Sequence, residues 1–291
     1  MSKVVSIFNQ SHSACLNNKR GFSLIEIIVV IVILGVLATG ISTFISFSTQ
    51  IYTDATDRDK VVSSSRFAIE RLNREIRLAV PNSIRVTTNG FTGANAKQCV
   101  EFTPIVLSTI YTDIAVIPEP ATADINVIAF DETLFKDGFN PSLKVGVYIL
   151  DTNEFYGGTS GKVFTLQDNA ISTSGNEWTI KLASAQTFFA DSPTNRLYFF
   201  NQSVSYCVQS SQLRRHQNYT RNADDTPDSD GVLMAENIDM FDDSLPPVIK
   251  PPFKVENATL LRNSMVLVKL TFNPNNESIV FNNEIQVPNV P

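Results

Sequence analysis

The sequence predicts an α+β fold: one long N-terminal helix, membrane-spanning in its first half and amphipathic in its second, packed on an antiparallel β-sheet domain. Three observations carry this. An apolar run from Phe22 to about Phe44 is long enough to cross a bilayer as a helix, which takes about 20 residues. From Ile45 to Val80 there is no Pro and no Gly, and apolar residues recur at helical spacing. Beyond Pro81 the chain changes to short runs rich in Val, Ile, Phe and Tyr, separated by Asn, Gly, Asp and Pro.

The first element opens with a polar stretch, 1–21, that holds Lys3, Lys19 and Arg20 and no acid. Phe22-Ser23-Leu24-Ile25-Glu26 follows, then the unbroken apolar stretch Ile27 to Leu34. Three readings fit a basic segment ahead of an apolar one. A secretory signal peptide needs a small-residue cleavage site, and Leu37-Ala38-Thr39-Gly40 supplies no clean one. A plain signal anchor accommodates Lys19 and Arg20 on the cytoplasmic side. Neither accounts for Glu26, since a carboxylate deep in a spanning helix costs roughly 2.5–3.5 kcal/mol on insertion scales and calls for a partner.

In the second half of the helix, Ile69, Leu72, Ile76 and Ala79 recur at helical spacing, flanked by Phe67, Ala68 and Val80, and are read as core. Glu70 and Arg74 stand in the favourable i,i+4 order. Pro81 is expected to end the helix. A continuous helix over 22–80 would measure about 90 Å at 1.5 Å per residue. In the β part, strands are expected at 83–88, 98–104, 126–130, 145–150, 178–182, 196–200, 203–208, 266–272 and 279–287. Phe199 to Val204 reads as a tight hairpin, and Asn273 to Glu277 as the turn between the last two strands. Segments 222–231 and 242–252 read as loops.

Composition excludes several functions. With 43% apolar and 18% charged residues the chain is not disordered, and at a net charge of -6 it has no basic block to hold nucleic acid. The three cysteines form no C-x-x-C pair, so a structural zinc site is not expected. No G-x-S-x-G, P-loop or G-x-G-x-x-G occurs. Gly157 to Gly161 is Gly-rich but reads as a loop, and His216 as a solvated hairpin or loop residue. A membrane-anchored enzyme is therefore the remote reading, with no catalytic residue and no cofactor assigned. Asp224, Asp228 and Asp230, alternating before Gly231, are the weak calcium candidate; the bland alternative is a solvated acidic loop.

Lys19-Arg20-Gly21-Phe22-Ser23-Leu24-Ile25-Glu26 resembles the class III signal of type IV prepilins. The resemblance implies cleavage between Gly21 and Phe22 by a prepilin peptidase, N-methylation of Phe22, and an assembly role for Glu26, whose carboxylate would pair with the amine of a neighbouring subunit. It implies a leader over 1–21, a transmembrane helix over 22–44, a helical extension over 45–80 and a periplasmic β-rich domain over 81–291. The expected place is the inner membrane, single-pass, with incorporation into a surface pilus. The partners implied are the peptidase, which is also the N-methyltransferase, and other minor and major pilins. Ser64 to Arg77, Val204 to Val208 and Gln286 to Pro291 are similar to minor prepilins of the mannose-sensitive haemagglutinin (MSHA) pilus, which are related to J-type minor pseudopilins of type II secretion and to W-type minor pilins. Removal of the leader leaves 270 residues at a net charge of -9, a size that suits a minor subunit. It also removes Cys15, leaving Cys99 and Cys207 in an oxidising compartment, where a disulfide between them is expected; two separate buried thiols are the alternative.

Overall fold

The structure is a computed structural model that describes residues 21–90, 96–129, 143–158, 160–219, 225–228, 230–242, 248–258 and 262–287. The chain divides into two units, Met1–Ala55 and Thr56–Pro291. One helix, α1 (Leu24–Arg77), contributes to both. In the first unit every described residue is exposed, so no described part of the chain covers the apolar side chains between Phe22 and Tyr52.

In the second unit, α1 buries Val61, Ser65, Ala68, Leu72 and Ile76. Steps of three and four residues put all five on one face. Ser65 fits that apolar face because its hydroxyl donates to the Val61 carbonyl (2.6 Å). The helix stops at Arg77, four residues before Pro81. The amide of Val80 donates to the Thr103 carbonyl and that of Ile105 to the Leu78 carbonyl, both at 2.8 Å. The backbone that would carry another helical turn is thus taken by a bridge between Ala79 and Pro104. Phe67, read from sequence beside the core stripe, is exposed.

Strands follow in the order β1 (Arg85–Asn89), β2 (Lys97–Phe102), β3 (Ile105–Asp113), β4 (Thr122–Ile128) and β5 (Lys144–Val147). A short helix, α2 (Thr152–Tyr156), precedes β6 (Val163–Ser174), β7 (Glu177–Gln186), β8 (Arg196–Phe200), β9 (Val204–Gln209) and β10 (Gln212–Gln217). The last four are β11 (Val232–Glu236), β12 (Phe253–Glu256), β13 (Ser264–Phe272) and β14 (Ile279–Val287). They form a five-stranded sheet, β1-β2-β9-β10-β11, a three-stranded sheet, β12-β13-β14, and a closed barrel, β3-β4-β7-β6-β5-β8. All pairings between these strands are antiparallel.

The α+β class and the helix-then-sheet order are as the sequence predicts, and the 3₁₀ turn Pro274–Asn276 joins β13 to β14 where a turn is expected. The hairpin expected at Phe199 to Val204 does not form. Both edges of β8 are occupied by β3 and β5, and both edges of β9 by β2 and β10. The link Asn201–Ser203 therefore carries the chain from the barrel to the five-stranded sheet.

Two main cores result. One joins α1 to both open sheets through Leu72, Ile76, Phe102, Tyr206, Val268 and Phe272. The other fills the barrel with Ile125, Val127, Val145, Ile180, Leu197 and Phe199. A six-stranded barrel is narrow enough for its inward side chains to fill it.

Candidate functional site

Gly21, Phe22 and Ser23 lie just ahead of α1, and the Ile27 amide closes the first turn on the Ser23 carbonyl (3.2 Å). Glu26 falls in that first turn, where unpaired amides and the helix dipole favour an anion. Around it Phe22, Leu24 and Ile25 are exposed, Phe22 by 77%. The helix is long and apolar enough to cross a membrane, and none of its apolar span is buried within the chain. Three of its threonine hydroxyls are turned inward on the backbone. Thr39 donates to the Val36 carbonyl (2.9 Å), Thr43 to that of Thr39 (3.0 Å) and Thr49 to that of Ile45 (2.8 Å). Polar groups satisfied within the helix lower the cost of an apolar surrounding, so this surface suits lipid or other helices.

The domain end of α1 is fastened by charges. The Glu75 carboxylate accepts from Arg71 Nε (2.9 Å), from Arg215 Nε (2.9 Å) and from the Tyr206 hydroxyl (3.1 Å). Arg71 is its i,i+4 neighbour, while Arg215 and Tyr206 come from β10 and β9. Burial, reinforced by the Glu75 charge, pushes the Tyr206 phenol up from its ordinary value. Sequence spacing pointed to Glu70 and Arg74 and missed this cluster, because its other half lies 131 and 140 residues away.

Cys99 and Cys207 occupy directly opposed positions on β2 and β9 and are joined by a disulfide, with Cα atoms 4.0 Å apart. The segment after β10 folds down near them. Asp225 pairs with Arg85 (2.9 Å), Lys97 Nζ donates to the Pro227 carbonyl (3.1 Å) and Arg214 Nη1 to the Gly231 carbonyl (3.0 Å). Thr226 and Pro227 are buried, so these residues are not the solvated loop expected from sequence. They account in part for β2 being buried along its whole length.

Of the calcium candidates, Asp224 lies outside the described residues. Asp228 and Asp230 are exposed and act on the Lys97 ammonium, which burial pushes down and the two carboxylates push back up. Among the described residues, no three His, Cys, Asp or Glu side chains converge to hold a metal ion.

His216, expected in a solvated loop or hairpin, is instead buried on β10, edge-on to Tyr219 at 6.5 Å between ring centres. Gly231 makes this possible. A Cβ there would stand 2.6 Å from the Arg215 carbonyl oxygen and 2.8 Å from His216 Cδ2, so only glycine lets the returning chain lie against β10.

A buried carboxylate, Glu101, receives Arg85 Nε (2.7 Å) and the Tyr219 hydroxyl (2.7 Å). It borders a cleft of about 430 Å³ with Tyr156, Phe200, Asn201 and Ser203.

Residues 16–42 match the prokaryotic N-terminal methylation motif. No curated protein and no solved structure matches the chain. The motif supports a type IV pilin-like protein, a structural subunit rather than an enzyme, processed by prepilin peptidase and associated with other pilins. The apolar N-terminal helix is consistent with membrane insertion of the pilin type.

Proposed function

We propose that this chain is a minor pilin-like subunit that serves assembly or initiation of a type IV pilus of the MSHA type, in the manner of the biogenesis protein MshO. The observation that carries the reading is the methylation motif at the head of a helix whose apolar side chains from Leu24 to Tyr52 are all exposed. Cleavage after Gly21 would leave the Phe22 amine, then methylated, at the start of that helix. Such an amine and the Glu26 carboxylate of a neighbouring subunit are each costly in lipid and tolerable together. Pairing them fixes the register in which like helices pack. The domain beyond the membrane would lie in the periplasm, tethered by α1 and joined to it through the Glu75 cluster.

A J-type minor pseudopilin of a type II secretion system would use the same signal and the same helix, and the genes beside this one discriminate the two machines. The test of the assembly reading is Glu26→Leu in cells that carry no other copy. Removing the charge should leave membrane insertion at least as efficient, and piliation should fall to the level of a deletion strain while the major pilin is still made and processed. Wild-type piliation with Glu26→Leu, or in the deletion itself, would refute the reading.

A further inference from the structure

We propose that the outer edge of β14 is a docking strand, on which a different subunit of the same assembly adds an extended strand to the three-stranded sheet. The kind of partner rests on the pilin-like reading; the edge itself rests on the following geometry.

Sheet edges invite pairing, and proteins blunt them with short strands, bulges, Pro or charged side chains. The barrel is closed and offers no edge. Among the open-sheet edges, β12 has four residues including Lys254, β1 has five and carries Arg85, and β11 has five with a register shift against β10. β14 differs from all three. It runs for nine residues in unbroken register with β13, has no Pro and no Lys, and carries one charge, Glu284. Among the described residues no strand pairs with its outer side.

The direction of β14 decides against its antiparallel pairing with the β14 of a second copy. Glu277, just before β14, pairs with Arg58 of α1 (3.3 Å), and Glu284 and Gln286 share a cleft with Arg77. From Arg58 to Arg77 the helix rises about 28 Å, and from Glu277 to Gln286 an extended chain covers about 30 Å. Strand and helix segment therefore run side by side in the same direction. Antiparallel pairing of two β14 strands would set the two helix segments antiparallel, whereas subunits inserted in one membrane through the same signal run the same way. With antiparallel self-pairing of β14 ruled out, the partner strand is assigned to another polypeptide, and a second copy paired in any other way is an outcome of the test. It should alternate apolar residues, to extend the row Phe281, Ile285 and Val287, and place a basic residue opposite Glu284.

The test is photo-crosslinking of the full-length protein in its own cells. A benzophenone amino acid replaces exposed Val280 or Asn282, and Val106, exposed on the barrel, is the control. The expected result is an adduct at both β14 positions and none at Val106, with mass spectrometry placing the crosslink in an extended segment of a different protein that bears a prepilin-type N-terminus. Glu284→Lys should lower its yield about fivefold, the scale of a cross-strand charge pair, at unchanged abundance of this chain. An adduct with a second copy, with a protein lacking that N-terminus, equally at Val106, or at neither β14 position overturns the proposal. Cleavage after Gly21 is read in the same sample, so a processed chain without a β14 adduct refutes the edge alone, and an unprocessed chain refutes the pilin-like reading.

Discussion

Breaking the Cys99–Cys207 disulfide should lower the stability of the domain by several kcal/mol, about 5 at most. The two cysteines are 108 residues apart in sequence. In the chain-entropy treatment, releasing a loop of that length raises the entropy of the unfolded chain enough to cost about 4.8 kcal/mol at 25 °C. The folded state loses little by comparison, because β2 and β9 remain paired on both sides of the site through the five other residue pairs. Native disulfides usually deliver about 2–5 kcal/mol, so the expectation lies at the upper end. For a domain of this size, each kcal/mol moves the melting temperature by about 2–4 °C, which gives a drop of roughly 10–19 °C. The assay is thermal unfolding of the full-length protein in detergent, followed by circular dichroism, for wild type with and without reductant and for Cys99→Ala/Cys207→Ala. Alanine avoids burying a hydroxyl at a site where both cysteines are buried. The reduced wild type and the double variant should melt together, well below the oxidised protein. Equal melting temperatures in all three, or two reactive thiols in the denatured, non-reduced mature protein, would rule out a stabilising Cys99–Cys207 bridge.

Two further outcomes follow from the charged groups of the domain. Glu75→Gln leaves the Arg215 guanidinium, 10% exposed, without its anion, and should destabilise the domain by about 3 kcal/mol; Glu75→Leu combined with Arg215→Met should recover most of that loss in chemical denaturation. The phenols of Tyr111, Tyr156, Tyr206 and Tyr219 are all pushed up, chiefly by burial. The folded state therefore keeps protons that the unfolded state releases near pH 10, so stability is intact below about pH 10 and falls as pH rises beyond it. Lys97, pushed down by burial, acts in the opposite sense in the alkaline range but is one group against four. A denaturation midpoint that stays constant or rises between pH 9 and pH 11.5 would contradict the four buried phenols.

The parts of the fold legible in the sequence are those set by local pattern. The period of Ala68, Leu72 and Ile76 identifies a helix face without knowledge of what covers it, and the apolar strands β8, β13 and β14 stand out by composition. Strands with polar inward positions do not. β10 reads Gln-Leu-Arg-Arg-His-Gln, yet Leu213, Arg215 and His216 are buried, the arginine because Glu75 from the helix meets it. β6 is rich in Ser, Thr, Asp and Asn, and its barrel position follows from pairing with β5 and β7. Closure of the barrel depends on which distant edges meet, β3 with β8 for example, and alternation carries no record of that choice. The N-terminal signal is the opposite case. On the proposed reading its residues would act through an enzyme and a membrane that read linear sequence, so Gly21, Phe22 and Glu26 are more legible there than in the fold.

Mass spectrometry of the N-terminal peptide of the protein isolated from membranes decides whether this chain is processed as a pilin-like subunit. The expected result is a chain that begins at Phe22 with one added methyl group on its amine, and a Gly21→Val variant that keeps its leader. A mature chain that still begins at Met1, or one cut near Ala38 beyond the apolar stretch, would contradict it.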